Sequence, residues 1–492
     1  VVALATKIRV PETLPVEQEP GPDVAYWLAR LGAQLDIQTQ DAVRYDRYYA
    51  GVHEMMFATP KFRETFGFLF GAFADNWCQV VVDSSLERLS VNGFRFGAKE
   101  TYEGDAAAWE IWQQNDLDKD STVAHLEAIK TGHAYVLVDA GDPPRITVES
   151  PIEVTVAYAP GNRRQRVAAL KRWIDIGNYL HATLYLPDVA WRFISTDPWE
   201  QQQELAWTLD DPATVPNATA PVVPVLELTN NPGLIANPGT GVLGHSDLEP
   251  VIPLQTAIDK ICADMMVASE YAAYRQRWAT GIEMPVDPET GEKRPDWMPK
   301  LLSDPSRMWA SERGDTRFGS FDASDLGNYT KAVEMFIQHL AAQTRTPPHY
   351  LTAGLGQWPS GDSLKASEVG LVAKVKRKQQ AFAETWEEAM RLAFVIVGDQ
   401  ERAGAKDAET MWTDPEYRSE AERVDALVKM RTLGVPLEAL WEKWGATPQE
   451  ITRWKSQLQD QAAILGLAAA YPVTTTGREA QQLATNTGTP LP

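Results

Sequence analysis

With 492 residues, 44% hydrophobic and 23% charged, the chain can bury cores for roughly two to four compact domains and is unlike a disordered protein. A formal net charge of −21 argues against a protein that coats nucleic acid, because such binders neutralise phosphates with clustered Lys and Arg, but it allows one past which DNA slides. No uninterrupted apolar run reaches the ~18 residues of a membrane span, and the start VVALATKIRVPETLPVEQEPGPD shows no secretory apolar stretch, so neither a membrane nor export is expected.

Residues 1–22 hold four prolines and little periodicity and read as an arm. A helical pattern follows over 23–50, with Trp27, Leu28, Leu31 and Leu35 on one face and Gly51 as its stop. Residues 60–89 are apolar and aromatic, a core segment that the NGF turn at 92–94 closes. From 133 the period changes to that of strands: HAYVLVDA, ITVESPIEVTVAYA, VAALKRWIDI, YLHATLYLPDVAWRFI and VVPVLEL read as one antiparallel meander, with the acidic DDPATVPNATAP as a surface loop.

From Ser246, expected to cap the next helix, Val251, Leu254, Ile258, Ile261 and Met265 recur at steps of three and four. That spacing suits a seam against a helix of another subunit, and it suits a core helix of a monomer equally well. Residues 281–322 interrupt with a Pro- and Gly-rich insert, after which Asp325 to about Thr344 is helical again, placing the insert at the tip of two helices. The loop RTPPHYLTAGLGQWPSG precedes a long helix capped by Asp362 or Ser363. After residue 400 short helices alternate with the breaks GVP and GATP.

Catalytic chemistry has no visible residues, and no cofactor is expected. GTGVLG at 239–244 has the glycine spacing of a dinucleotide site but no strand leading into it and no surrounding βαβ unit, so its glycines read as a flexible entry to the helix. His125 and His133 lack a third ligand at metal spacing, so no metal site is expected. Cys78 and Cys262 lie in helical patterns and are expected to be buried free thiols in a reducing compartment.

Lys374, Lys376, Arg377 and Lys378 concentrate positive charge on the long helix. At about 100° per residue, Lys374, Arg377 and Lys378 share a face of small and polar side chains with Ser367 and Gly370, while Lys365, Lys376, Val369 and Val372 project to the other side. A solvated face usually mixes in acidic partners at i, i+4, and their absence points mildly to a polyanion.

In order and spacing, YYAG (48–51), NWCQVVVDSSLERLSVNGF (76–94), HAYVLVDAG (133–141), GHSDLEPVIPLQTAIDKI (244–261), TPPHYL (346–351), PSGDSLKASE (359–368) and WTDP (412–415) resemble the portal proteins of tailed double-stranded DNA bacteriophages of the siphophage type. The resemblance covers nearly the whole chain. It implies an α+β, mainly helical fold that assembles into a ring, usually of twelve subunits, at one capsid vertex, through which DNA is packaged by a terminase and later leaves. In that scheme 1–22 is the arm, 23–245 the wing, 246–280 a stem helix, 281–322 the clip, 323–345 the second stem helix, 346–362 the tunnel loop, 363–398 the tunnel helix and 399–492 the C-terminal wing or crown. It implies DNA-channel roles for Leu355, Gln357, Trp358, Lys374, Arg377 and Lys378. At the clip, Lys293, Arg294, Trp297, Met298 and Trp309 would bind the terminase and then the head-completion adaptor; these side chains are of types enriched at interface cores. Val251, Leu254, Ile258, Ile261 and Met265 would form the stem seam. Implied partners are further copies of the chain, the major capsid and scaffolding proteins, terminase, adaptor and, transiently, double-stranded DNA; assembly would occur in the host bacterial cytoplasm and the product would reside in the virion. A monomeric scaffold or adaptor, or a nucleotide-binding enzyme, are the alternatives that the residues leave open.

Overall fold

The computed structural model describes residues 22–54, 75–96, 104–201, 205–235, 241–273, 277–281, 325–351, 361–416 and 420–464, with short pieces at 8–9, 60, 64, 290–291 and 316–320. Twelve α-helices, one short 3-10 helix and thirteen strands among these residues make an α+β fold. The helix α1 (Pro22–Tyr49) leads to α2 (Trp77–Leu86), β2 (Val91–Arg95), α3 (Ala106–Gln114) and α4 (Leu117–Thr131).

Two sheets follow. The strands β5 (Val154–Ala159), β6 (Asn162–Ile174), β7 (Leu180–Tyr185), β8 (Val189–Ser195) and β9 (Leu205–Pro216) form the expected meander, and β1 (Ile8–Arg9) adds a parallel edge to β9. The strands β3 (His133–Asp139), β4 (Arg145–Glu149) and β10 (Val225–Thr229) make a separate three-stranded sheet in the order β10-β3-β4. A single meander through all of them was therefore the wrong topology: VLELT returns to pair with HAYVL, Val225 opposite Leu137. The acidic stretch from Asp210 to Pro216 is also part of β9 and not a loop.

Each layer has its own apolar contact. The face of α1 carrying Val24, Leu28 and Leu31 covers one side of the large sheet at Leu170, Leu184 and Phe193. Tyr135, Val156 and Val225 fill the space between the two sheets. The largest core joins α2, α3, α4 and the small sheet to α5 (Val251–Ala273), α6 (Gly327–Thr344), α7 (Pro348–Leu351) and α8 (Gly361–Val397). At about 1.5 Å per residue, α8 is about 55 Å long. Its C-terminal half is inside this core, where the Trp386 indole N–H donates to Nε2 of His125 at 3.0 Å and its ring meets Trp112 edge-on at 5.0 Å. His125 is thus a core residue, and burial pushes its imidazole down to about 3. Cys78 and Cys262 are buried free thiols.

After α9 (Gln400–Ala403), the strand β13 (Glu409–Trp412) pairs with β2, and α10 (Glu420–Thr432), α11 (Leu437–Trp444) and α12 (Pro448–Ile464) close the described chain. The NGF stretch is thus strand, not turn; Gly93 has no side chain, which leaves room for Pro448 and Met411 to lie against it. The strands β11 (Arg277–Thr280) and β12 (Arg317–Ser320) pair antiparallel at the base of the insert. Among the described residues no helix is long and apolar enough to cross a membrane.

Two of the five residues expected to form the seam on α5 face the chain's own core. Val251 and Ile258 are wholly buried, and with Gln255 and Cys262 they form the stripe that faces the chain's own core; only Leu254, Ile261 and Met265 of the expected set keep exposed surface. Gln255 explains the shift: its side chain accepts from the Trp77 backbone N–H at 2.9 Å and donates to the Asp75 carbonyl at 2.6 Å, which locks this face against α2.

Ser246 lies ahead of α5, five residues before its first residue, and its hydroxyl accepts from the Leu248 N–H at 2.9 Å and donates to the Lys130 carbonyl. Asp362 and Ser363 fall inside the first turn of α8, which begins at Gly361. The entry to α5 is also tight, not flexible. A Cβ on Gly244 would stand 2.0 Å from the carbonyl oxygen of Gly132, so two backbones touch there. Gly244→Ala should therefore lower stability by about 2–3 kcal/mol in denaturant melts, whereas Gly241→Ala, strained only by its φ of +70° in open space, should cost about 1 kcal/mol.

Candidate functional site

The long helix α8 carries the basic cluster, and its surroundings separate the four cations. Lys378 is 1% exposed. Its Nζ donates to Oδ1 of Asp247 at 2.7 Å and to Oδ1 of Asn230. Lys374, one turn earlier, places Nζ 2.8 Å from the other carboxylate oxygen and donates to the Thr344 carbonyl at 3.2 Å. Lys376 and Arg377 are exposed, and no hydrogen bond or ion pair involves either among the described residues.

The segment from 229 to 247 positions the carboxylate. Asn230 donates from its backbone to the Gly132 carbonyl at 2.8 Å and from its side chain to the His245 carbonyl at 2.8 Å and to Asp247 at 3.0 Å. Asn231 adopts a φ of +44°, a conformation Asn tolerates, and adds a bond to Asp247 at 2.7 Å. The Asp247 backbone N–H donates to the Ile129 carbonyl at 3.0 Å. Asp247 is thereby fixed between the end of α4 and the start of α5.

Lys374 reaches the C-terminal end of α6, where carbonyls lack helical partners and the helix dipole favours a cation. One carboxylate thus ties three helices together: α5 follows it in the chain, α6 ends on Lys374, and α8 supplies both lysines. Two lysines and one carboxylate leave an excess positive charge. Burial raises the Asp247 carboxyl, but Lys374 and Lys378 more than offset this and hold it well below the usual carboxylate range. Burial and the charge of Lys374 push the Lys378 ammonium down to about 8 against the pull of Asp247.

The shared lumen-facing surface of Lys374, Arg377 and Lys378 is therefore not what the fold makes. Lys378 is inside the protein, Lys374 is mostly covered, and Arg377 alone of the three is exposed. Lys376, projected to the apolar side, is exposed as well. The helical projection lacked the identity of the buried face: Leu371, Val375, Lys378, Gln379 and Phe382 define it. A lysine there was not to be expected, and its signal lay in an aspartate 131 residues away. Leu355, Gln357, Trp358, Lys293, Arg294, Trp297, Met298 and Trp309 lie outside the described residues.

A second tether fixes the exposed start of α8. The Arg88 guanidinium donates to Glu368 at 3.1 Å, to the Tyr350 hydroxyl at 3.1 Å and to the Pro415 carbonyl at 3.0 Å. Between the two tethers the helix shows Val369, Ala373, Lys376 and Arg377 to solvent. Among the described residues no group of three or more His, Cys, Asp or Glu is placed to hold a metal ion. A helix tethered at two levels, with exposed cations between them, can offer weak phosphate contacts.

The family described as phage portal protein, SPP1 Gp6-like, matches residues 42–463. The chain belongs to that family. Curated relatives include the portal protein of Mycobacterium phage D29, 30% identical over 413 residues, and that of Mycobacterium phage L5, 30% identical over 412; each alignment covers 79% of this chain and 79% of the relative. Among solved structures, a chain of the neck of an empty GTA particle is similar with a TM-score of 0.44 and 12% identity, covering 83% of this chain and 94% of that one.

Replacing Asp247 with Asn would leave two buried ammonium groups facing each other, which should cost about 3–5 kcal/mol. Lys378→Met leaves a neutral Lys374–Asp247 pair and should cost less. The pH dependence has a definite sign. Below pH 8 the strain of a buried ammonium is fully present; between 8 and 10.5 the unfolded chain still binds the proton that the folded one has released, so stability rises with pH. Relative to Lys378→Met, the native chain should gain on the order of 3 kcal/mol in melts between pH 8 and 10.5; the buried thiols Cys78 and Cys262, raised by burial, act in the opposite sense and equally in both proteins.

Proposed function

We propose that the protein is the subunit of a ring, of twelve copies in the family's usual form, that forms the DNA channel at one capsid vertex. The genome enters through it under the terminase and later leaves, and the ring joins head to tail. The observation that carries this reading is the family match over residues 42–463. Exposed, unpartnered cations on the free half of a 37-residue helix agree with it.

In this reading α5 and α6 are the stem helices, the insert 281–322 is the clip that receives terminase and then the adaptor, the loop with Leu355, Gln357 and Trp358 narrows the tunnel, and α8 lines it. A conduit must release its cargo at every step. Each phosphate contact adds affinity that has to be broken, so a chain of net charge −21 that shows few cations to the lumen suits passage. Placing Lys374 and Lys378 on Asp247 keeps two of the four cations of the basic cluster off the DNA. Arg377, with Lys376 beside it, is then the contact level, weak and sequence-blind.

Light scattering on the purified chain should give the mass of a closed ring of about twelve copies; a stable monomer would contradict the reading. Within assembled heads, Arg377→Gln combined with Lys376→Gln should change the salt dependence of DNA retention while shifting stability by less than about 0.5 kcal/mol. An unchanged salt response would remove α8 from the channel wall.

A further inference from the structure

A polar pocket of about 200 Å³ lies between α1, the start of β3 and the approach to α5, lined by Asp41 and Tyr45, by His133, and by His245 and Glu249. His133 is 6% exposed, its ring T-shaped against Tyr135 at 5.6 Å, and among the described residues neither ring nitrogen has a hydrogen-bond partner. Burial pushes its imidazole down to about 4, so at neutral pH one nitrogen carries a proton and the other a bare lone pair. A buried polar group in this condition costs stability unless something meets it. Its buried neighbours in the lining are met inside the chain: Gln38 donates to the carbonyls of Pro151 and Val154, and Ser246 to that of Lys130.

The rim of the pocket is acidic. Asp41 and Glu249 are exposed; Asp41 makes no hydrogen bond or ion pair among the described residues, and Glu249 has only His245, at 3.4 Å. Burial holds the Asp41 carboxyl above its usual range, with Arg44 acting against this and Glu249 adding to it. The Arg44 guanidinium lies over the ring of Tyr48, 5.9 Å from its centre. Burial and the same two carboxylates push the Tyr45 hydroxyl up to about 12.

We propose that this pocket takes the head of an organic cation, a guanidinium or a primary ammonium, whose N–H groups donate to the Asp41 and Glu249 carboxylates and to the bare nitrogen of His133. Such charge-assisted bonds are the strong ones, and they would meet the one buried group of the lining that the chain leaves unpaired. A cation that brings its own donors suits the pocket better than a metal ion, because no three of these His and acidic side chains are placed to ligate one. Bound there, it bridges α1 to the approach to α5 and adds a second hold on the segment that carries Asp247. The head belongs either to a free cation or to a basic side chain of a neighbouring copy, and the site itself does not depend on the ring reading.

Methylguanidinium chloride is the probe, with tetramethylammonium chloride, equal in charge but without N–H donors, as its control. Equilibrium dialysis against the full chain should find one methylguanidinium per copy, held about tenfold more weakly or worse when Asp41→Asn is combined with Glu249→Gln; both positions are exposed, so the core is untouched. Tetramethylammonium should show no such preference. If the native chain takes up no probe, but the variant's rings half-dissociate at a concentration about tenfold higher than native rings or more, a neighbour's basic side chain is the occupant. No uptake with native and variant chains assembling alike overturns the site, and so does equal uptake by both chains or the same preference for tetramethylammonium. A native chain that stays monomeric yet takes up the probe keeps the site and ends the ring reading.

Discussion

Asp247 and its two lysines impose the constraint on which the arrangement of α8 depends. Three charged side chains buried together are tolerable only while each keeps its partners, because an ion left unpaired in such a place costs several kcal/mol. Lys378 uses Asp247 and Asn230; Lys374 uses Asp247 and the open end of α6. The axial rotation of α8 follows, since the one-residue turn that puts Lys378 in the exposed place of Arg377 would take its ammonium off Asp247 and Asn230. The entry to α5 is fixed by the same carboxylate and by the backbone contact of Gly244 with Gly132.

Seen along its length, α8 divides into an anchor and a presenting half. The anchor is apolar and aromatic, with Phe382, Trp386, Met390 and Phe394 buried in the main core. The presenting half lies between Arg88 on Glu368 and Lys378 on Asp247, and it shows Val369, Ala373, Lys376 and Arg377 to solvent. A helix rigid at both ends and smooth between them suits a wall past which a charged polymer slides, because it neither flexes into the path nor offers a continuous run of phosphate partners.

Much of this was legible from local pattern. The strands of the large sheet, the two helices flanking the insert, the long helix and the short C-terminal helices all follow from period and from Gly and Pro breaks. What was not legible depends on distant pairs. The stripe of α5 was displaced because Gln255, polar in sequence, is buried by its bonds to residues 75 and 77. The NGF stretch reads as a turn until its partner strand at 409–412 is known. Lys378 looked like surface because a lysine usually is, and only Asn230 and Asp247 make its burial possible. The order of family motifs carried the reading of function, since no local constellation of side chains did.

A high-resolution reconstruction of the assembled ring would test the central claim most directly. The account predicts Arg377 facing the lumen in every copy, with Lys374 and Lys378 turned away from it onto Asp247. Lys378 pointing into the channel, or Arg377 enclosed between subunits, would contradict it.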